Sequence, residues 1–312
     1  MIDIVIVNWN SGGLLYDCID SLIKHHDDLI NKVIVVDNAS SDDSIETIDS
    51  FNSNAFEIII ERNLENLGFG KACNQGACLG DSESILFLNP DARIFHNSLS
   101  VSLNYLRNHE DVGVVGVQLI DEKGEISRTC AVNPTLANFL ASSCGLNKIP
   151  KLQKLAREMV WWDHKETRKV DHVMGAYYLI DRTLFESLNG FDERFFVYLE
   201  DLDLSLRVKE CGYEIVFLTD TKVFHVGGGT SSQVKARRLF YSLSSQLQYG
   251  FKHYSLYKAW LLVFFTLSVE PLARLLFAFV NDGVNGVKNT LSAYKMLIKK
   301  LPIILQCKSS II

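Results

Sequence analysis

The chain has 312 residues, of which 47% are hydrophobic and 22% are charged, a composition typical of a globular protein rather than a disordered one. Its net charge of −6 is unevenly distributed, since residues 1–230 carry 20 basic and 35 acidic side chains whereas residues 231–312 carry 11 and 2. The acidic body repels phosphates, which argues against nucleic acid as a partner.

Two further features bear on where the protein works. The seven cysteines include no C-x-x-C pair, so neither a disulfide scaffold nor a zinc site is expected, and the thiols fit a reducing compartment. Met1, Ile2 and Asp3 lead straight into a strand-like run, without the basic segment typical of a signal peptide. We therefore expect a cytoplasmic protein.

Strand-like and helix-like segments alternate along the first part of the chain. Short apolar runs typical of buried strands cover residues 4–7, 32–36, 56–60, 85–88 and 112–120. The helix-like segments between them cover residues 14–23, 68–80 and 98–108. This alternation predicts an α/β fold with a mainly parallel central sheet, in which ligands bind beyond the carboxyl ends of the strands.

The second part of the chain is less regular. Residues 131–171 give no assignable structure, residues 173–180 and 213–226 are strand-like, and a helix is expected to begin at about Glu200. From residue 231 the chain becomes helical, aromatic and basic. We therefore place a boundary near residue 230, which gives a domain of residues 1–230 and a helical C-terminal region of residues 231–312.

Polar and glycine-rich residues gather where the predicted strands end. They are Asn8–Asn10, Asp37–Ser41, Arg62–Gly68 and Asn89–Asp91. No G-x-G-x-x-G follows the first strand and no P-loop motif is present, which disfavours a dehydrogenase or an NTPase. The pattern predicts a ligand site at this edge of the sheet.

Five side chains are candidates for chemistry, and each has a plainer alternative. Asp37 can contact a base or ribose or stabilise a turn, and Asp91 can hold Mg²⁺ or Mn²⁺ beside a diphosphate or belong to a simple turn. Glu200 and Asp201 offer a carboxylate that can deprotonate a sugar hydroxyl, or they only suit the helix dipole. His225 can ligate a metal or be a packed histidine.

Five segments in a fixed order carry a stronger signal than any single residue. They read Val7-Asn8-Trp9-Asn10, Val35-Val36-Asp37-Asn38-Ala39-Ser40-Ser41-Asp42, Asn66-Leu67-Gly68-Phe69-Gly70-Lys71-Ala72-Cys73-Asn74-Gln75-Gly76, Leu88-Asn89-Pro90-Asp91 and, over residues 190–204, GFDERFFVYLEDLDL. Across residues 1–230 the chain resembles family 2 glycosyltransferases, and within that family it is most similar to bacterial rhamnosyltransferases.

The resemblance implies a GT-A fold and a nucleotide-diphosphate sugar donor. It implies a nucleoside contact at Asp37, a metal-binding acid at Asp91, a catalytic base at Asp201 beside Glu200, and a metal or diphosphate contact at His225. Further residues expected to bind the nucleotide sugar are Asn8, Asn10, Asn66, Gly68, Asn74 and Asn89. The family's D-x-D motif has Asn89 at its first position here, which removes one charge from the expected Mg²⁺ or Mn²⁺ site.

The basic C-terminal region contains two apolar, aromatic-rich runs flanked by lysines, at residues 259–269 and 272–280. This composition suits an interfacial helix on anionic lipid. The alternative is a helical subdomain that packs on the catalytic body or forms a homodimer. Glu270 and Pro271, which interrupt the apolar sequence, and Arg274 disfavour a single membrane span.

The sequence therefore predicts an inverting glycosyltransferase that is peripheral at the inner face of the cell membrane. The donor expected first is dTDP-L-rhamnose, and the acceptor is a glycan or lipid-linked glycan in the synthesis of a surface polysaccharide such as O-antigen or capsule. Transfer of another hexose from a UDP-sugar is the first alternative. The others are a sugar-nucleotide-binding protein without turnover and a membrane-associated scaffold.

Overall fold

The structure of the protein, a computed structural model, describes residues 1–48, 51, 56–227 and 235–306. The chain divides into two compact units, one of Met1–Val132, Trp162–Glu193 and Glu200–Thr230, and one of Asn133–Trp161, Arg194–Leu199 and Ser231–Ile312. The proposed boundary near residue 230, the glycines at 228–229 and Cys307 lie outside the described residues. The two-domain division at residue 230 therefore stays a prediction.

The first unit is built on one mixed sheet, which has nine strands within the described residues. The strands are β1 (Ile2–Asn8), β2 (Ile30–Asp37), β3 (Glu57–Arg62), β4 (Ser84–Leu88), β5 (Ala92–Ile94), β6 (Val112–Ile120), β7 (Arg168–Val170), β8 (Tyr177–Asp181) and β9 (Glu214–His225). Their order is β3-β2-β1-β4-β8-β6-β9-β5, and β7 pairs with β9. The α/β class with its central sheet is confirmed.

The direction of the strands decides where polar residues meet. β3, β2, β1 and β4 are parallel neighbours, so their carboxyl ends lie at one edge of the sheet. β8 is antiparallel to β4 and pairs its first residue, Tyr177, with Leu88, the last residue of β4. The residues just before β8 therefore reach the same edge, here called the carboxyl edge.

Five helices belong to this unit: α1 (Gly13–Lys24), α2 (Phe69–Cys78), α3 (Ser98–Asn108), α5 (Arg182–Ser187) and α6 (Glu200–Glu210). Every residue of β1 and β4 is buried, because helices cover the sheet, which explains their continuous apolar runs. α2 lies directly on β1, since a Cβ at Gly76 would come within 2.5 Å of Val5 Cγ1. This close packing fixes α2 against the sheet.

The second unit is helical. It contains α4 (Leu136–Ser143), two short 3₁₀ turns (Leu146–Lys148 and Pro150–Leu155), α7 (Lys235–His253) and α8 (Leu256–Gln306). Glu270 and Pro271, which interrupt the apolar run, lie inside α8. The helix breaks at Gly283, whose φ of 59° is a left-handed conformation that glycine adopts without the steric cost of a Cβ.

Candidate active site

The ends of β1 and β2 hold a rigid carboxylate. Asn8 and Asp37 are register partners, and Asn8 Nδ2 donates to Asp37 Oδ1 at 2.8 Å. The same carboxylate accepts from the Ser40 hydroxyl at 2.5 Å and from the Ser40 backbone N–H at 3.2 Å. Asn8 Oδ1 is buried and has no hydrogen-bond partner among the described residues, so it can accept a hydrogen bond from a ligand.

Asn10 organises the loop that follows Asp37. Its backbone has a left-handed φ of 52°, and its side-chain oxygen accepts from the Ser41 N–H at 2.7 Å. Its own N–H donates to Ser40 Oγ at 2.9 Å. Ser40 thus joins Asn10 to Asp37, although the sequence reasoning did not single it out as a site residue. Its position three residues after a strand-end aspartate was the available signal.

The start of α2 is tied to the end of β2. Asn38 Nδ2 donates to the Gly68 carbonyl at 3.0 Å, and the Gly68 N–H donates to Asn66 Oδ1 at 3.0 Å. Gly68 has a φ of 92°, which explains why glycine stands before the helix. Asn63 Nδ2 also donates to Asn38 Oδ1 at 2.9 Å. Asn38 and Asn63 were missed as separate site residues, although each follows a strand directly.

Asn74 has a supporting role in the structure. Its Nδ2 donates to the Phe191 carbonyl at 2.9 Å, and its Oδ1 accepts from the Phe191 N–H at 2.9 Å. The side-chain amide of Asn74, on α2, thus pairs with both backbone polar groups of Phe191, which lies in the segment before α6. A contact between Asn74 and a donor sugar stays a prediction.

Asp201, in the first turn of α6, is held by two backbone donors. Oδ2 accepts from the Gly175 N–H at 3.0 Å and Oδ1 from the Leu202 N–H at 2.8 Å. The next residue, Ala176, accepts from the Asn89 N–H at 3.1 Å. The segment 175–176 therefore connects Asp201 to the end of β4. The strand predicted over residues 173–180 begins only at Tyr177, because the preceding residues turn to make these contacts.

Glu200 has a different environment from its neighbour. Burial, and then the negative charge of Asp201, raise the pKa of Glu200 well above its ordinary value of 4.5. Its Oε2 has no hydrogen-bond partner among the described residues. A Cβ at Gly70 would lie 3.6 Å from Glu200 Cβ, so the first turn of α2 closes over this side chain.

Asp91 and His225 form a pair beyond β4. His225 Nε2 lies 3.2 Å from Asp91 Oδ1 and 3.4 Å from Asn89 Nδ2. The register pairing of Ala92 with His225 brings the two together. The described residues contain no group of three or more His, Cys, Asp or Glu side chains that suits a metal. The pair still fits a divalent ion, because such ions in nucleotide sites often use one or two protein ligands with substrate phosphates.

Asn8, Asp37 and Asn89 lie at or just beyond the carboxyl ends of neighbouring strands, and the segment 175–176 connects Asp201 to the end of β4. The chain enters α6 through two non-glycine residues with left-handed φ, Tyr198 at 70° and Leu199 at 67°. Strained backbone of this kind concentrates at functional sites. The arrangement places along one edge of the sheet a carboxylate fixed by backbone donors, a buried carboxyl group of raised pKa and an Asp–His pair.

Solved structures define the class of fold. Staphylococcus aureus TarS 1–349 in complex with UDP-GlcNAc matches with a TM-score of 0.56 and 15% identity, over 95% of this chain and 91% of that one. The mannosyltransferase PcManGT from Pyrobaculum calidifontis, in complex with GDP-Man and Mn²⁺, matches with a TM-score of 0.55 and 15% identity, over 97% and 80%. The first unit has the GT-A fold.

Sequence comparison gives the family. Residues 3–149 match the family described as Glycosyl transferase family 2. Rhamnosyltransferase WbbL of Escherichia coli is 26% identical over 54% of this chain and 62% of its own length. The N-acetylglucosaminyl-diphospho-decaprenol L-rhamnosyltransferase of Mycobacterium tuberculosis is 25% identical over 51% and 56%. Residues 3–149 thus match this family model, the chain is similar to bacterial rhamnosyltransferases, and it spans little more than half the length of these relatives.

Proposed function

We propose that the protein is an inverting glycosyltransferase whose catalytic base is Asp201. One observation carries this assignment: both oxygens of the Asp201 carboxylate are fixed by backbone N–H groups, and the segment that holds Oδ2 also holds the end of β4. A carboxylate fixed in this way loses little freedom when it accepts a proton from a sugar hydroxyl. Burial raises the pKa of the neighbouring Glu200.

The chemistry is a single displacement. Asp201 accepts the proton of the acceptor hydroxyl while that oxygen attacks the anomeric carbon on the face opposite the diphosphate. The bond to the diphosphate breaks, and its electron pair leaves on the diphosphate oxygen. One displacement inverts the anomeric centre, so no covalent sugar–enzyme intermediate is required.

The nucleotide half of the donor is assigned to the ends of β1 and β2. The Asp37 carboxylate and Asn8 Oδ1, which has no hydrogen-bond partner in the part of the chain that the structure describes, offer acceptors for a base N–H or a ribose hydroxyl. The names of the bacterial relatives support L-rhamnose as the sugar, and dTDP-L-rhamnose is the donor that we propose first. Another hexose from a UDP-sugar remains the second candidate, because TarS was solved with UDP-GlcNAc.

Asp91 and His225 are the residues that would hold Mg²⁺ or Mn²⁺. The ion would neutralise charge on the leaving diphosphate. Asn89, which brings no charge, lies beside the pair, with its Nδ2 3.4 Å from His225 Nε2. PcManGT was solved with Mn²⁺, which supports a divalent ion in this fold.

The acceptor is proposed to be a lipid-linked glycan of a surface polysaccharide, and the protein to act as a peripheral protein at the inner face of the cell membrane. Within the described residues, one helix, Leu256–Leu305, is long and apolar enough to cross a membrane by length and composition. Only 22% of its most apolar 18-residue window is buried. The name of the mycobacterial relative, which contains decaprenol, supports the lipid acceptor.

The donor assignment is tested by thermal unfolding of the whole protein with dTDP-, UDP- and GDP-sugars, with Mg²⁺ or Mn²⁺ and with EDTA. A donor at about 100 times its Kd stabilises the native state by about 2.7 kcal/mol. We expect one donor class to raise the Tm, and Asp91→Asn to lose the part of the shift that EDTA removes. Asp220→Asn, an exposed change on the same strand as His225, should behave like the wild type.

Two results would overturn parts of this proposal. If no nucleotide sugar raises the Tm, the transferase assignment fails and the scaffold alternative gains support. If a donor raises the Tm equally with EDTA and in Asp91→Asn, the donor site stands but the metal assignment to Asp91 and His225 is wrong.

A further inference from the structure

Two consecutive 3₁₀ turns of the second unit, Leu146–Lys148 and Pro150–Leu155, present positive charge to solvent. Residues 146–155, which they span, are here called the basic segment. A 3₁₀ helix has three residues per turn, so side chains three positions apart lie on the same side of it. The second turn therefore places Lys151 and Lys154 together, and both are exposed.

The charges of these two lysines are not compensated by nearby acids. Residues 133–157 contain no Asp or Glu. In the part of the chain that the structure describes, neither Lys151 nor Lys154 forms an ion pair, whereas the next cation, Arg157, pairs with Glu158. The two ammonium groups are therefore available to an anionic partner.

The basic segment is tied to α4. Thr135 and Asn138 form a capping box at the start of that helix, and Asn138 Nδ2 donates to the carbonyl of Leu155 at 3.2 Å. The N–H of Leu152 donates to the Ile149 carbonyl at 2.8 Å, which closes the second turn. Because these contacts order the backbone before a partner arrives, little further ordering opposes binding.

Exposed apolar side chains lie beside the lysines. Leu146 and Ile149, in the basic segment itself, are both exposed. Lys148 Nζ lies 3.3 Å from the ring centroid of Phe277, a cation–π contact that joins the segment to an exposed aromatic side chain of α8. Lysines next to exposed apolar side chains are typical of surfaces that lie at the headgroup level of a membrane.

We propose that the basic segment binds the headgroup phosphates of anionic phospholipids, and this proposal rests on the membrane location in the proposed function. Lys151 and Lys154 bind the phosphates, while Leu146 and Ile149 contact the apolar layer beneath them. A phospholipid surface matches both the charge and the apolar side chains. The acidic body of a second copy, residues 1–230, would match the charge alone.

The test is flotation of the intact protein with vesicles of phosphatidylcholine, with and without phosphatidylglycerol. Lys151→Gln combined with Lys154→Gln should weaken binding to the anionic vesicles about 25-fold, since each lysine near an anionic surface contributes about fivefold. Binding to phosphatidylcholine alone should not change. The matched control, Lys123→Gln with Lys165→Gln, removes the same charge from exposed positions of the first unit and should bind like the wild type.

Several outcomes would overturn the proposal. If the lysine-pair variant binds like the control, the basic segment does not bind lipid, although α8 can still hold the protein at the membrane. Equal binding of the wild type to both kinds of vesicle would exclude the phosphate contact. Lys151→Arg with Lys154→Arg should retain binding because arginine keeps the charge, and a loss in this variant as large as in the glutamine pair would contradict the proposal.

Two further results separate this proposal from the proposed function. If the wild type floats with no vesicle, the membrane location fails and the lipid contact fails with it. If it instead self-associates in sedimentation equilibrium and the lysine-pair variant does not, a second copy is the occupant. The donor-induced rise in Tm should be the same in the lysine-pair variant as in the wild type, so the transferase assignment is judged independently.

Discussion

Glu200 and Asp201 are adjacent in sequence, yet the structure gives them opposite properties. Asp201 accepts hydrogen bonds from two backbone N–H groups, which stabilise a carboxylate. Glu200 is 5% exposed, and its buried Oε2 has no hydrogen-bond partner among the described residues. The two carboxyl groups therefore differ in their surroundings: backbone donors fix Asp201, whereas burial raises the pKa of Glu200.

Replacing Glu200 by glutamine should change how stability depends on pH. Folding raises the pKa of Glu200 above its ordinary value of 4.5, so the folded state holds this proton more tightly than the unfolded state. The resulting contribution to stability is fully present below about pH 4.5. It declines as the pH rises and is lost above the pKa of the folded state. Glutamine does not titrate, so the Glu200→Gln variant does not lose stability in this way as the pH rises. The stability of Glu200→Gln relative to the wild type should therefore increase above pH 4.5, as measured by denaturant unfolding from pH 4.5 to 8.

The exposed Glu110 provides the control, since Glu110→Gln should follow the wild-type profile at every pH. A Glu200→Gln profile parallel to the wild type would contradict the raised pKa of Glu200. A glutamine variant that retains most of its transfer activity would agree with it, because the side chain would have served as a neutral group.

At this scale the sequence identified the residues but not their partners. Asp37, Asp91 and Asp201 were found because each ends a strand or begins a helix in a recognisable motif. Ser40 and Gly175 were not, because their roles depend on hydrogen bonds between segments far apart in the chain. The raised pKa of Glu200 could not be predicted from the sequence either, since it depends on how deeply the side chain is buried in the folded protein.

Helix α2 and the segment before α6 are joined by Asn74. Its side-chain amide pairs with both the N–H and the carbonyl of Phe191. Phe191 is 2% exposed, so its peptide has no access to bulk water in place of Asn74. This contact sets how the chain enters the turn that leads to Glu200.

Asn74→Ala should reduce the free energy of unfolding by about 1–3 kcal/mol, because two buried backbone groups lose their partner. Chemical denaturation measures the change, and Asn104→Ala on the exposed face of α3 is the matched control. We also expect transfer activity to fall, since the segment before α6 loses its anchor. Unfolding indistinguishable from that of Asn104→Ala would show that Asn74 does not support this segment.

Secondary structure was predictable where the pattern was long and regular. The helix expected at residues 98–108 is found as Ser98–Asn108, and the strand at 112–120 as Val112–Ile120. The region of residues 131–171 was not readable, because its helix and 3₁₀ turns are short and their packing is not periodic in sequence.

The chain as a whole combines an acidic GT-A unit with a basic helical one. The buried side of α8 is mainly apolar, and its buried polar side chains are paired: Thr266 Oγ1 accepts from Gln246 Nε2 at 3.2 Å, and Glu270 accepts from Ser143 at 3.0 Å and pairs with Arg274. The outer face is apolar and exposed, with Tyr257, Trp260, Phe264, Leu272, Leu276 and Phe279 between 50% and 76% exposed. Such a helix fits a lipid surface better than a full span, which would carry Glu270 and Arg274 into hydrocarbon.

Vesicle binding tests this arrangement. The wild type should bind vesicles that contain anionic lipid, more weakly at high salt and in vesicles of neutral lipid alone. Replacing Phe264 and Leu272 together by glutamate should weaken binding about tenfold per side chain, since each loses about 1.5 kcal/mol or more of apolar contact. Leu64→Glu, at a fully exposed leucine of the first unit, is the control and should bind like the wild type.

A second copy of the chain is the competing occupant of this face. If the double glutamate variant changes a dimer into a monomer in sedimentation equilibrium while wild-type protein ignores all vesicles, the face is a dimer interface. The charge pattern argues against that result, because residues 231–312 carry 11 basic and 2 acidic side chains and two such surfaces repel each other.

The most direct measurement is sugar transfer by the wild type and by Asp201→Asn, from the donor that stabilises the protein to N-acetylglucosamine carried on a lipid diphosphate. The proposed mechanism predicts a product with inverted anomeric configuration and a kcat lowered about 10²- to 10⁴-fold in Asp201→Asn. Donor-induced stabilisation should persist in the variant. Near-normal transfer by Asp201→Asn, or a product with retained configuration, would contradict the central claim.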